Sequence, residues 1–209
     1  MVQRPEVGGA LEVRPSIPFV GELDGLAIAR SMPESHRLRG LFFTRCVGDL
    51  AADELAALQP LLREPPPVGD GYVPFNDYPL HDYTLLFERA ARKVHPRVAA
   101  REAWRLYARE EIFAFAATML GQVTLSLLSD PTAAFLKLPS VFGGLVVGPG
   151  VTAEKASERA VCVELTSCSA PVEYCVGVFE GVVMSFKRYP RLEVEARENA
   201  VRIVVHWNM

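Results

Sequence analysis

The chain has 209 residues, of which 50% are hydrophobic and 22% charged, so it can bury a core without disulfides or metal ions. Its formal net charge of -3 leaves no overall basic field that would draw it onto nucleic acid. The amino end has no basic stretch followed by an apolar run, and no two of the 4 cysteines are spaced as CxxC. We therefore expect a cytoplasmic protein with free thiols.

Residues 1–36 are interrupted throughout by proline and glycine and show no helical period. This pattern predicts an arm that contains at most short extended pieces, such as residues 17–20. Two readings remain open for it: a flexible leader, or an arm that docks on a sheet edge or on a second subunit. Residues 37–209 are predicted to form a single α+β domain of the ligand-binding kind.

The helical part of this domain begins with two short predicted helices, at residues 38–47 and 52–62. A loop follows at residues 63–76, where Pro65 begins a run of prolines. We predict the next helix from Asp77 as its amino-terminal cap to residue 94, because apolar residues fall on one face and His95-Pro96 ends the pattern.

A second helical run is predicted over residues 97–129, and its centre is unusually apolar. Residues 112–128 contain no charged side chain, which is typical of a buried central helix or of a membrane segment. The stretch is shorter than the roughly 20 residues that a span needs, and it contains polar residues such as Gln122. We therefore predict a central core helix and no transmembrane segment.

The last third of the chain changes to strand periodicity. Strands are predicted at residues 145–147 and 161–165, followed by a helix at 172–186 and a hairpin of residues 192–197 and 201–207. The predicted fold class is α+β, with a helical amino-terminal part packed on a small antiparallel carboxy-terminal sheet built as strand, helix and hairpin.

Gly177 and Gly181 lie four residues apart in the predicted carboxy-terminal helix, so they leave a bare strip on one face. The strip either packs on the sheet or faces a bound molecule. On the second reading, we predict an apolar cavity between this helix and the central one. Its candidate lining residues are Phe113, Met119, Gln122, Tyr174, Gly177, Phe179 and Gly181. Aromatic side chains that fill this space themselves are the alternative.

A row of arginines recurs every four residues along the second helical run: Arg97, Arg101, Arg105 and Arg109. Guanidinium groups in a row suit the recognition of an anion or an acidic partner. Glu102 lies between them, however, and Glu110 and Glu111 directly follow Arg109, so a solvated mixed-charge face is the other reading.

We identify no catalytic residue and no metal site from the sequence. The histidines are His36, His81, His95 and His206, and they form neither HExxH nor a ligand spacing with cysteine. GxSxG, Walker and strand-linked GxGxxG motifs are also absent from the sequence. This pattern favours a protein that is not an enzyme, although scattered catalytic residues would escape such a search.

Three features carry a resemblance to a known family. They are the stretch Arg39-Gly40-Leu41-Phe42-Phe43, the apolar central helix, and the glycine-spaced helix over residues 172–181 followed by a terminal hairpin. Together they resemble an uncharacterised family that we associate with myxobacteria. The similarity covers residues 37–207. More distantly, the order of elements looks like the superfamily of haem-based nitric-oxide sensor domains, 4-vinyl-reductase-like domains and core subunits of the TRAPP vesicle-tethering complex. That resemblance implies an apolar pocket between helices and sheet, and a homodimer.

The chain departs from these relatives at their cofactor sites. The haem sensors of this superfamily carry a Tyr-x-Ser-x-Arg motif and a helical histidine, whereas this motif is missing here and His95 precedes Pro96. The 4-vinyl-reductase-like domains hold zinc through cysteines in the last hairpin, and the hairpin of residues 192–207 has none. We therefore expect no cofactor, neither haem nor zinc.

These observations lead to a functional hypothesis. We expect a non-enzymatic sensor or adaptor that binds a small apolar ligand or a protein partner. A homodimer is expected through residues 41–47 or residues 83–94. The alternatives are a purely structural dimeric scaffold with a filled pocket, and an enzyme with unrecognised catalytic residues.

Overall fold

The computed structural model describes residues 10–13, 19–66, 71–197 and 200–208. Its helices are α1 Gly25–Ser31, α2 Leu41–Asp49, α3 Ala52–Leu58, α4 Leu80–Val94, α5 Ala100–Ala117, α6 Met119–Ser126, α7 Pro131–Gly143 and α8 Val172–Ser185. Its strands are β1 Ala10–Val13, β2 Arg37–Arg39, β3 Asp77–Pro79, β4 Val146–Val147, β5 Gly150–Ser157, β6 Ala160–Thr166, β7 Tyr189–Arg197 and β8 Ala200–Asn208.

Two antiparallel sheets organise the strands. The larger one has the order β1-β7-β8-β6-β5, and the smaller one has the order β3-β2-β4. Alternation of buried and half-buried residues along β8 places one face of the larger sheet in the core. The helical amino-terminal part, the antiparallel carboxy-terminal sheet and the α+β class are as predicted, and so is the terminal hairpin of β7 and β8.

The protein has two apolar cores that meet at α8. The first lies among α1, α2, α4 and α5 and includes Phe43, Phe87 and Trp104. The second lies between the larger sheet, α7 and α8. Tyr174 and Val178 of α8 pack against both cores. Helix α8 is therefore the element that joins the helices to the sheet.

Part of the segment that was assigned to the arm belongs to the folded domain. Helix α1 was not predicted, yet its Ile28 and the flanking Leu23 and Met32 are buried in the first core. Asp24 caps α1 by accepting a hydrogen bond from the backbone N–H of Ala27 at 2.9 Å. Strand β1 pairs with β7 at the edge of the larger sheet. Of the extended piece predicted at residues 17–20, residues 17 and 18 lie outside the described residues.

The start of α4 also differs from the prediction. Asp77 does not cap this helix, because it belongs to β3, where it pairs with Arg39 of β2. The helix itself begins at Leu80. Residues 77–79 therefore form a short strand, although the sequence predicted them as the first turn of the helix.

The predicted central core helix over residues 112–128 is wrong. Helix α5 ends at Ala117, Thr118 is extended, and α6 begins at Met119. The Thr118 hydroxyl donates to the Phe115 carbonyl oxygen at 2.7 Å and accepts from the Gly121 N–H at 3.0 Å. A Cβ atom at residue 121 would overlap the Phe115 carbonyl, so the break between α5 and α6 requires glycine at this position. Met119 is 83% exposed, whereas the buried residues of α5 lie between Ala100 and Glu111.

Candidate functional site

A cleft of about 310 Å³ opens between α2, the loop before β3 and the end of α5. Its walls are mostly apolar, and its lining residues are Leu41, Phe42, Thr44, Arg45, Pro74, Phe75, Glu111, Ala114, Phe115 and Thr118. The volume lies at the lower end of the range that small-molecule sites occupy. We refer to it as the α2–α5 cleft.

Backbone hydrogen bonds fix the loop wall of this cleft against α2. The N–H of Leu41 donates to the Pro74 carbonyl oxygen at 3.1 Å, and the N–H of Gly40 donates to the Asn76 carbonyl oxygen at 2.8 Å. The first N–H groups of a helix have no partner within the helix itself. These two bonds supply such partners, so the loop caps α2. A side chain at Gly40 would overlap the Val73 carbonyl, which explains the glycine. Phe75 is held at the rim with 77% of its surface exposed.

Glu111 is the buried polar group of the cleft. Only 4% of its surface is exposed, and its two carboxyl oxygens each accept a hydrogen bond from a tyrosine. The Tyr83 hydroxyl of α4 donates to Oε1 at 2.6 Å, and the Tyr174 hydroxyl of α8 donates to Oε2 at 3.2 Å. Three helices thus converge on one carboxyl group.

Burial raises the pKa of Glu111 to about 7, and the Tyr83 hydrogen bond and the charge of Arg45 only partly offset this increase. The carboxyl group is therefore poised between its neutral and ionised forms near neutral pH. Burial also raises the pKa values of Tyr83 and Tyr174 well above their usual range. Both tyrosines accordingly remain hydrogen-bond donors at every physiological pH.

Arg45 lines the cleft, but its guanidinium group is engaged elsewhere. It donates to Glu110 at 3.2 Å and to the backbone carbonyl of Tyr107 at 3.2 Å, lies 3.6 Å from the Asp49 carboxylate, and stacks 4.2 Å from the centre of the Tyr107 ring. Two carboxylates therefore compensate this one cation. These two carboxylates already outnumber the guanidinium group, and ionised Glu111 would be a third.

Cys46 lies beneath the cleft in the first core and is completely buried. Burial raises the pKa of its thiol well above the usual range, so the thiol is a poor nucleophile. The arrangement can hold a polar group of a bound molecule and exchange a proton with it. It does not combine a nucleophile with an activating base among the described residues.

The seven residues predicted to line a pocket do not come together. Phe113, Met119 and Gln122 lie on the surface. Phe179 is buried in the second core against Phe135, with ring centres 5.4 Å apart. Tyr174 reaches the cleft through Glu111. Ligand binding by these residues stays a prediction.

The glycine strip of α8 packs against α5, and neither the sheet nor an open cavity faces it. A Cβ atom at Gly177 would overlap the backbone carbonyl of Arg105, and one at Gly181 would lie 2.8 Å from the Cβ atom of Ile112. The two helices are therefore in backbone contact, which corrects the prediction that this strip packs on the sheet or faces a ligand.

The arginine row is mostly internal. Arg105 is buried and contacts Glu102 at 2.9 Å and Glu180 of α8 at 2.7 Å. Arg101 lies 2.9 Å from Glu173, also of α8. Arg109 lies 4.0 Å from Glu180, and Arg97 is an exposed residue that precedes α5. Three of the four arginines thus form an ion-pair network between α5 and α8, although binding of an acidic partner through the row stays a prediction.

Sequence reasoning missed both Glu111 as a site residue and the ion-pair partners of the arginines. Glu173 and Glu180 stand seven residues apart in a helix that is otherwise almost entirely apolar. Charged residues on such a helix are a sign of buried pairing, because an unpaired buried charge is costly. That signal was available, whereas the convergence of Tyr83 and Tyr174 on Glu111 was not.

The fold of this protein is similar to that of H-NOX domains of known structure. An H-NOX protein from S. oneidensis in the Fe(II)NO ligation state has a TM-score of 0.62 at 10% identity, covering 82% of this chain and 100% of that chain. An Fe(II) unliganded H-NOX protein from K. algicida has a TM-score of 0.59 at 14% identity, covering 82% and 97%. An oxygen-binding H-NOX domain related to soluble guanylate cyclases has a TM-score of 0.60 at 16% identity, covering 81% and 93%. The protein has an H-NOX-like fold.

The chain itself belongs to the family described as protein of unknown function DUF2378, whose model matches residues 32–207. No curated protein matches it.

The H-NOX-like fold raises the question of whether these residues fit a haem. Haem iron in proteins is held by histidine, cysteine, methionine or tyrosine, and no such residue lines the α2–α5 cleft. His95 has its Nε2 atom 3.2 Å from Glu110, and the His81 Nδ1 atom lies 2.8 Å from Asp82. Across the described part of the chain, no three histidine, cysteine, aspartate or glutamate side chains are grouped to hold a metal ion. The residues of this cleft do not fit haem ligation.

None of the helices in the described residues combines the length and the apolar character that crossing a membrane requires.

Proposed function

We propose that this protein is a sensor-like, non-enzymatic domain that binds a small, largely apolar molecule in the α2–α5 cleft. The observation that carries this proposal is the placement of one buried carboxyl group, Glu111, in a cleft whose other walls are mostly apolar. Small-molecule sites typically combine such walls with a few convergent polar groups.

The acceptor capacity of Glu111 supports this proposal. An ionised carboxylate has about four lone-pair sites, and the hydroxyls of Tyr83 and Tyr174 use two of them. A ligand donor can therefore bind without displacing either tyrosine. Because the two tyrosines belong to α4 and α8, a ligand on Glu111 would contact a carboxyl group that three helices position together.

The H-NOX-like fold supports the same class of function by analogy alone. Function on a shared fold depends on the site itself, so the α2–α5 cleft carries the proposal. The structural neighbours named above are an Fe(II) unliganded form, an Fe(II)NO form and an oxygen complex. In this chain we propose the cleft beside Glu111 as the site, with an organic ligand in place of haem.

The proposal is tested by filling the cleft. Ala114 lies on an exposed part of α5 and lines the cleft, so Ala114→Leu should block it without disturbing the core. Ala117 is exposed on the same helix and is not one of the lining residues, which makes Ala117→Leu a matched control. Native mass spectrometry of each variant, purified from its source organism, should show a retained small molecule in the wild type and the control but not in Ala114→Leu. Equal retention in all three would contradict the proposal.

We further propose a homodimer in which the partner is a second copy of this chain. The apolar face of residues 83–94 is not available to a second copy, because Tyr83, Leu86, Phe87, Ala90 and Ala91 are buried in the chain's own core, whereas a contact through residues 41–47 stays a prediction. Met119, Val123 and Leu127 are instead exposed at four-residue intervals along α6 and its end, so they form one row. An exposed apolar row of this kind suits a twofold helix contact.

A further inference from the structure

We infer that the molecule bound in the α2–α5 cleft is an organic ammonium, with its protonated nitrogen on the Glu111 carboxylate and its apolar part against Phe42, Phe75 and Phe115. This inference rests on the proposed function, and it names the chemical class of the ligand.

The first argument is the charge balance of the cleft. Among the described residues no lysine, arginine or histidine forms an ion pair with Glu111, and Arg45, whose charge lowers the pKa of Glu111, is shared with other carboxylates. The guanidinium group of Arg45 already has Glu110 and Asp49 as partners. Ionised Glu111 adds a third carboxylate, and this excess of negative charge disfavours an anionic ligand and favours a cationic one.

The second argument is the geometry of donors and acceptors. Both polar neighbours of Glu111, the hydroxyls of Tyr83 and Tyr174, donate to it. The carboxylate therefore retains acceptor sites and offers no donor when it is ionised. An ammonium group supplies N–H donors and a positive charge together, and such charge-assisted hydrogen bonds are about twice as strong as neutral ones.

The third argument is the aromatic composition of the walls. Phe42, Phe75 and Phe115 line the cleft together with Leu41 and Pro74. The faces of phenylalanine rings attract cations, and this attraction strengthens where water is excluded. The same rings also accommodate the hydrocarbon part of the ligand, so one lining satisfies both halves of an amphipathic amine.

Proton exchange at Glu111 gives the inference a measurable signature. The groups that face this carboxyl are Arg45 and Cys46 of α2, Tyr83 of α4 and Tyr174 of α8, and Glu110 is its neighbour on α5. Tyr83, Tyr174 and Cys46 stay protonated near neutral pH, because burial raises their pKa values. Since the pKa of Glu111 is about 7, roughly half a proton should leave the protein when a cation binds at pH 7.

The experiment compares three probes of nearly equal size: 2-phenylethylammonium, 2-phenylethanol and phenylacetate. Their affinities for the full chain are measured by titration calorimetry at pH 6, 7 and 8, in two buffers of different ionisation enthalpy. We expect the ammonium to bind about tenfold more tightly than the alcohol at pH 8, with a smaller difference at pH 6. Phenylacetate should bind most weakly of the three.

Glu111→Gln should abolish the proton release and remove the preference for the ammonium, so that 2-phenylethylammonium and 2-phenylethanol bind this variant with affinities within about twofold of each other. Tyr174→Phe is the second variant, which keeps the inference testable if Glu111→Gln fails to fold. It keeps the carboxylate, so it should retain the ammonium preference. Equal binding of ammonium and alcohol to the wild type, with both lost in Ala114→Leu, would overturn the ammonium inference and leave the proposed function intact. If none of the probes binds at millimolar concentration, or if Ala114→Leu changes nothing, both are wrong.

Discussion

The Cα atom of Gly177 in α8 lies directly against the backbone carbonyl of Arg105 in α5, with no room for a Cβ atom between them. This contact fixes the spacing of the two helices that carry Tyr174 and Glu111. We expect Gly177→Ala to destabilise the protein by about 1–3 kcal/mol, because the helices must separate to admit the methyl group. Chemical denaturation of the purified variant measures the change.

The matched control for this glycine is Gly48 of α2, which has open space where its side chain would be. Gly48→Ala should stabilise the protein by about 0.5–1 kcal/mol, since alanine has the higher helix propensity. Destabilisation of similar size in both variants would mean that helix spacing is not the cause.

The ion-pair network between α5 and α8 gives a second prediction. Replacing Arg105 by methionine leaves Glu102 and Glu180 without their closest cation in a buried site. We expect a loss of about 3–5 kcal/mol in the free energy of unfolding, because an unpaired buried charge is costly.

Arg97, which is exposed and precedes α5, provides the control for that variant. Arg97→Met should change the free energy of unfolding by no more than about 0.5 kcal/mol. If Arg105→Met were as mild as Arg97→Met, the network would contribute nothing to stability.

The raised pKa of Glu111 predicts a dependence of stability on pH. In the unfolded chain this carboxyl ionises near pH 4.5, whereas in the folded protein it holds its proton up to about pH 7. Between these values the folded state binds more protons, so the stability that protonated Glu111 contributes is complete below pH 4.5. It is lost as the pH rises through 7, and the total loss is roughly 3 kcal/mol.

Glu111→Gln isolates this contribution, because it removes the titration and keeps the size of the side chain. Unfolding free energies measured from pH 5 to pH 8 should fall less steeply in the variant than in the wild type. Parallel curves for the two proteins would show that Glu111 does not titrate in this range.

The fourth prediction concerns the apolar row of α6. Replacing Met119, Val123 and Leu127 together by glutamine should convert a dimer into a folded monomer, because all three are exposed in the single chain and outside its core. Light scattering at micromolar concentration reports the mass. A wild type that already has the mass of one 23.0 kDa chain, or a variant that stays dimeric, would contradict the proposed contact.

Much of the secondary structure could be predicted because its signals are local. The alternation along residues 192–197 and 201–207 predicted the hairpin of β7 and β8, and the apolar run after Pro171 predicted α8 almost to the residue. Both patterns depend on neighbours within a few positions along the chain. The break at Thr118 was not predicted, because Gly121 has no sequence feature that distinguishes it from an ordinary glycine inside a helix. Only the structure shows the Phe115 carbonyl packed against it.

The sequence by itself determined the α+β class, the helical segments that contain α2, α3, α4, α5 and α8, and the strands β4, β6, β7 and β8, whereas α1, α7, β1, β2, β3 and β5 were not predicted. Only the tertiary structure decided what the charges within the helices do. Arg105 and Glu180 are 75 residues apart and become partners because α5 and α8 pack through glycine. Glu111, which follows the last arginine of the row by two residues, became the buried acid of a cleft because α4 and α8 each bring a tyrosine to it. A carboxyl group acquires an unusual pKa from its three-dimensional surroundings, and no periodicity in the chain encodes them.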